Sequence, residues 1–147
     1  MPSLRDKFRM ERMKALDFSP LGRATDRLRE ALAAREAHPS DDFIRDSVVQ
    51  RFEFTFELAH VLLKRYLEAS SASAGEIDAL SFPSLIRVGS ERGLLRSGWD
   101  RWFDFRKARN STSHAYDETR AKLAVEIAPE FLVEVDFLYK KLTEQPA

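Results

Sequence analysis

Between Phe43 and Glu68 the chain runs without a single glycine or proline, and its apolar positions return at steps of three and four. That segment reads as one continuous α-helix about 40 Å long, enough to cross a small domain. Ser40 or Asp41 is placed to cap it. Val48, Val49, Phe52, Phe56, Ala59, Leu63, Tyr66 and Leu67 define one face, and Phe54, Leu58, Val61 and Leu62 a second flank. Such a helix calls for neighbours on more than one side. Between the two lies a polar stripe of Asp46, Gln50, Glu53, Glu57, His60 and Lys64, which is either a solvated face or the wall of a cleft.

The rest of the chain follows the same period. With 5 Gly and 6 Pro in 147 residues, no segment alternates as a strand would. Leu21, Ala24, Leu28, Ala31 and Leu32 mark a helix from Pro20 to about Glu36, ended by His38-Pro39. Residues 69–75, small and polar, read as a loop within one domain. Ser81 or Phe82 opens a short helix with Pro83 in its first turn and Gly93 at its end. Ser97-Gly98-Trp99-Asp100 has the capping-box pattern for the next. Asp117 is placed to cap a final helix marked by Ala124, Ala128, Phe131, Val135, Leu138 and Leu142, with a kink expected between Val125 and Pro129. The expected fold is all-α: an antiparallel up-and-down bundle of four to five helices over residues 19–147, preceded by an arm or short helix over 1–18.

A chain of this length suits one core, and 44% hydrophobic residues exclude wholesale disorder. The absence of cysteine removes disulfides, thiol nucleophiles and thiolate zinc sites. Charges interrupt the first ten residues too often for a signal core, and no stretch is apolar enough to span a membrane, so the expectation is a soluble, unprocessed cytoplasmic chain.

Chemistry concentrates in Arg106 to Tyr116. The 24 basic and 24 acidic residues cancel, but from Arg87 to Arg109 seven basic residues face three acidic ones, whereas from Asp117 onward seven acidic residues face four basic. Arg106, Lys107 and Arg109 therefore suggest a locally basic cleft for a phosphate-bearing ligand. Arg keeps its proton and can brace phosphate oxygens in pairs, while His titrates near neutrality and can move a proton. Together Arg109 and His114 suit phosphodiester cleavage in RNA, where the 2′-hydroxyl is itself the nucleophile and no metal is required. Their five-residue spacing separates them by about 140° on a straight helix. Either the helix ends within Asn110 to Ser113, or copies from two subunits complete one site.

Gln50, Glu53 and Glu57 are spaced to reach Arg109 or His114 across the bundle, or else to face solvent. Glu57-Leu58-Ala59-His60 matches half of a di-iron motif, but no second copy exists, so neither metal nor other cofactor is assigned. Val88-Gly89-Ser90 resembles the Gly-Ser opening of a nucleotidyltransferase site, yet a paired Asp-x-Asp on a strand is missing, and that activity is not expected here. Trp99, Trp102, Phe103 and Phe105, at helical spacing, are expected to pack rather than to stack on bases.

Arg109-Asn110-x-x-Ser113-His114-x-Tyr116 resembles the Arg-x4-His-x-Tyr signature of HEPN-domain proteins, and Gln50 to Leu58 (Gln-Arg-Phe-Glu-Phe-Thr-Phe-Glu-Leu) resembles a helix of the nucleotidyltransferase substrate-binding proteins within that superfamily. The resemblance spans roughly Pro20 to Leu142. It implies a helical homodimer, encoded beside a minimal nucleotidyltransferase, with two copies of the motif meeting at the dimer cleft and RNA or a nucleotide as ligand. In toxin members Arg and His cleave RNA without metal, and the partner adenylylates the motif tyrosine. By that resemblance Arg109 braces phosphate, His114 transfers protons, Asn110 and Ser113 orient them, and Tyr116 is the modification site. His60 departs from the family, whose members usually carry an aromatic residue there.

Overall fold

The computed structural model describes residues 2–111 and 118–144, and among them every regular element is a helix. The first helix, α1 (Leu4–Lys14), is held at its start by a reciprocal Ser3/Asp6 capping box and packs on the third helix, although none of its residues is buried. α2 (Ser19–Ala37) carries Pro20 in its first turn and buries Leu21, Ala24, Leu28 and Ala31. α3 (Asp42–Ser70) is the long helix, with Asp41 as its cap accepting from the backbone N–H groups of Phe43 and Ile44.

α3 continues through Ala69, which is buried in its last turn, and α4 (Ala74–Asp78) follows, anchored by buried Ile77. The loop expected over 69–75 is therefore shortened to residues 71–73, because both ends find apolar cover. α5 (Phe82–Glu91) is capped by Ser81 and closed at Gly93, whose φ of 74° suits glycine, with Leu94 N–H bonded to Gly89 O and Gly93 N–H to Ser90 O. α6 (Trp99–Ser111) and α7 (Glu118–Thr143) complete the chain. The capping box expected at Ser97 is not formed: the Ser97 N–H that Asp100 would take donates instead to Glu134 Oε1 on α7, at 3.1 Å. α7 is assigned unbroken through Pro129, whose missing N–H leaves the Val125 carbonyl without its helical donor. Asp117, the expected cap of α7, lies outside the described residues.

α2, α3, α6 and α7 form the bundle, with α1, α4 and α5 packed against its sides and ends. The sequential pairs α2/α3 and α6/α7 run antiparallel, since residue numbers rise on one helix as they fall on the other. Arg51 meets Arg27 and Thr55 meets Ala24 across α3 and α2; Arg101 meets Glu130 and Ser97 meets Glu134 across α6 and α7. The α2–α7 seam is tight at Gly22, where a Cβ would stand 2.7 Å from the Tyr139 ring, so only glycine permits that approach.

The core is aromatic at its centre. Phe131 receives Phe52 and Phe105 edge-on at 5.1 and 5.2 Å, and Trp102 lies 5.4 Å from Phe105 and 6.0 Å from Phe56. Each such ring contributes about 1.5–3 kcal/mol by burial alone. One carboxylate is buried among them: Glu134, 1% exposed, accepts from Trp102 Nε1 at 2.8 Å as well as from Ser97 N–H. Removing it would strand the buried Trp102 donor and the half-buried Ser97 N–H, so Glu134→Ala should lose on the order of 3 kcal/mol in urea unfolding. Glu134→Gln, which keeps the accepting oxygen, should stay within about 1 kcal/mol of the parent.

Candidate functional site

Trp102 and Arg109 are seven residues apart, about 20° short of two full helical turns, and therefore share one face of α6. Burying Trp102 against Phe56 of α3 turns Arg109, two turns later on α6, toward the same helix. Arg109 Nε lies 2.8 Å from Glu57 Oε1, with both side chains partly open to solvent. Glu53, one turn before Glu57, has its carboxyl pushed above the usual carboxylate range, chiefly by burial, with the Glu57 charge adding to the effect and Arg109 opposing it.

These groups edge an open groove of about 600 Å³, whose lining includes Gln50, Arg51, Phe54 and Glu57 of α3, Arg27 of α2 and Arg109 of α6. The α2 wall is fixed by buried Thr55, whose hydroxyl donates to the Arg51 carbonyl at 2.6 Å and reaches the Ala24 carbonyl at 3.4 Å. Arg51 Nη1 donates to the Arg27 carbonyl at 2.7 Å and stands 3.9 Å from Glu30. The polar stripe of α3 thus divides. Gln50 to Glu57 is a cleft wall, while Asp46 and Lys64, beyond it on either side, form solvated ion pairs with Arg45 and Asp78.

His60, where an aromatic residue was expected, behaves as one: its ring meets Phe82 edge-on at 4.7 Å, and the Arg106 guanidinium lies 5.1 Å from the same ring. The di-iron half-motif is thereby split, Glu57 turning to Arg109 and His60 to Phe82. Lys107 lies away from the groove, in a furrow between α6 and α7 with Asp104 and Glu126. Arg101 is committed to Asp104 and Glu130, so part of the local basic excess is neutralised. Asn110 is exposed in the last turn of α6. Ser113, His114 and Tyr116 lie outside the described residues, and α6 is described as far as Ser111.

Trp102 and Phe105 are buried, as packing residues should be, whereas Phe103 is 51% exposed. The second flank of α3 is likewise only half covered: Leu62 is buried but Phe54 and Val61 are 61% and 39% exposed. Arg27 and Arg51 were not singled out from the sequence as site residues. Arg51 adjoins Gln50 on the polar stripe, but nothing in the periodicity of α2 marks Arg27, whose place depends on the α2–α3 register.

The His60 imidazole titrates below its ordinary range because burial disfavours its charged form; Lys64 and Arg106 act in the same sense, and Glu57 opposes them. A depressed value means that the folded chain resists protonation, so the stability tied to His60 is present above the ordinary value of about 6.5 and is lost as pH falls through the folded value. His60→Phe should therefore flatten the loss of stability as pH falls below about 6.5, measured as the shift in urea midpoint. An unchanged acid limb would contradict this.

A family described as nucleotidyltransferase substrate binding protein like matches residues 16–144. Among curated proteins, a relative named probable ribonuclease HepT, from Haemophilus influenzae, is 31% identical over 104 residues, covering 71% of this chain and 70% of the relative. Among solved structures, HI0074 from Haemophilus influenzae, described as revealing the fold of a substrate binding domain of a nucleotidyltransferase, superposes with a TM-score of 0.80 at 27% identity, covering 87% of this chain and all of that one. With its antiparallel helices, its α3 stripe and the Arg109 groove, the chain belongs to the nucleotidyltransferase substrate-binding family.

Proposed function

We propose that this chain is the HEPN-type subunit of a two-component system, working in the cytoplasm with a separately encoded minimal nucleotidyltransferase. In this reading its homodimer carries a metal-independent endoribonuclease site built on Arg109 and His114. The observation that carries the reading is the Arg109–Glu57 pair at the edge of the groove. Glu57 holds a guanidinium that cannot lose its proton beside space large enough for a nucleotide, where it can brace a phosphate.

The chemistry follows from those groups. His114 takes the proton of the ribose 2′-hydroxyl, the 2′-oxygen attacks phosphorus, and the 5′-oxygen leaves with a proton returned to it, giving a 2′,3′-cyclic phosphate and a 5′-hydroxyl. Arg109 stabilises the charge gathered on the phosphorane oxygens. Asn110 and Ser113 orient the pair, and Gln50, Glu53 and Glu57 support it from α3. Arg106, one turn before Arg109, meets an adjoining phosphate, and Lys107 contributes to the field around α6. Adenylylation of Tyr116 by the partner adds bulk and negative charge where RNA phosphate would bind, and so silences the site. Dimerisation is supported by the apolar side chains of Phe43, Val61 and Phe103, left 89%, 39% and 51% exposed on the bundle surface.

A second reading is favoured by the substrate-binding descriptions of the matched family and fold: the same groove presents a nucleotide or polynucleotide to the transferase and performs no chemistry. Purified chain incubated with total RNA in EDTA separates the two. Cleavage that survives the chelator and falls about 10²-fold or more in Arg109→Ala and in His114→Ala supports the nuclease. Intact RNA together with His114-dependent binding supports the presenting subunit. Sedimentation should give twice the 17.0 kDa chain mass. Co-expression with the transferase should add one or more AMP masses to Tyr116, and an unmodified tyrosine beside an active transferase would count against that regulation.

A further inference from the structure

We infer that the α2 side of the groove is a nucleotide subsite, in which Phe54 stacks on a base of single-stranded RNA and Arg27 with Arg51 holds the phosphate next to the one at Arg109. The inference rests on the reading of the groove as an RNA site and adds to it a substrate class and three residues.

Three observations converge. The groove at Arg109 does not stop at the α3–α6 seam but extends to α2, and its about 600 Å³ exceeds what one phosphate needs. Its far wall holds two guanidiniums from different helices. Arg51 is tethered to the α2 backbone by its bond to the Arg27 carbonyl, which fixes the α3 cation at the seam. Its carboxylate contact is a long 3.9 Å to exposed Glu30, and Arg27 has no carboxylate partner among the described residues. Pairing of this strength leaves both cations available to a phosphate, unlike Arg101, which is held by two acids.

The third observation is Phe54. It stands within one helical turn of both Arg51 and Glu57 and is 61% exposed, whereas Phe52 and Phe56, two residues to either side, are buried. Arg51 and Glu57 are six residues apart, about 9 Å along α3, which the guanidinium arms on either side bring within reach of neighbouring phosphates on one strand. An exposed ring between Arg27 and Arg51 on one side and Arg109, braced by Glu57, on the other resembles the arrangement that binds single strands, with bases stacked on aromatics and the backbone followed by Arg. Buried Thr55, which donates to the Arg51 carbonyl and reaches the Ala24 carbonyl of α2, fixes α2 against α3 and so sets Arg27 beside Arg51. Duplex RNA would keep its bases out of reach of Phe54, so a single-stranded segment is the substrate class.

The test uses the full chain and a fluorescein-labelled, 2′-O-methyl single-stranded RNA, which binds but cannot be cleaved, beside the same backbone without bases. Phe54→Ala should weaken binding of the normal strand about tenfold and leave the abasic strand unchanged. Arg27→Gln should weaken both strands alike and lower the salt slope of affinity by about one. If both variants bind within twofold of the parent while Arg109→Ala loses affinity, the subsite is wrong and the groove reading stands. If the parent chain binds neither strand, both fall. If Phe54→Ala turns a dimer into a monomer and weakens the two strands equally, the ring belongs to a subunit interface and the inference is overturned.

Discussion

The hydrogen bond from the Trp102 indole to buried Glu134 governs more of this molecule than its single contact implies. A carboxylate placed in an aromatic core is costly unless its oxygens find donors, and here one oxygen takes both the indole N–H and the Ser97 backbone N–H that precedes α6. The position of α6 along α7 and its rotation about its own axis are set together. Once Trp102 is turned inward, Arg109 two turns later faces α3 rather than solvent. The geometry of the candidate site is therefore inherited from a core contact about 10 Å away along the helix.

The groove shows why opposite charges gather at one edge of the bundle. Glu57 balances Arg109 without burying it, and Glu53 sits where burial and its neighbour's charge both favour the protonated form. On the far side the Arg51 cation is held chiefly by the Arg27 backbone carbonyl, with Glu30 a longer 3.9 Å away. The basic character of the face comes from three helices, α2, α3 and α6, and not from the segment from Arg87 to Arg109 alone, where Arg101 is neutralised across α7.

Much of the architecture was legible because helical packing leaves a periodic trace. The long helix, its Asp41 cap, the Gly93 stop and the stripe from Ala124 to Leu142 all rest on local rules that the structure obeys. Local rules failed where a distant group competed for the same atoms. The Ser97-to-Asp100 capping pattern was sound as a pattern, but Glu134, 37 residues away, claims the Ser97 N–H. Residues 69–75 looked like a loop because they are small and polar, yet Ala69 is buried in the last turn of α3 and Ile77, just beyond them in α4, is buried in the core. His60 looked like a departure from family pattern and is accommodated as a ring, since an imidazole can meet Phe82 by its edge as an aromatic side chain would.

By itself the sequence determined the helical class, the span of α3 and the residue types that carry the proposed chemistry, because each is written in spacing along one helix or in one short motif. It left the α3 polar stripe open between solvent and cleft, and it could not pair Arg109 with Glu57 or bring Arg27 beside Arg51. Those partners lie 52 and 24 residues apart, on helices whose relative rotation depends on how Trp102, Phe56, Phe131 and Gly22 fit against their neighbours. Only tertiary packing decides that fit: a helix can turn any face toward its neighbours until close-packed side chains leave it one orientation.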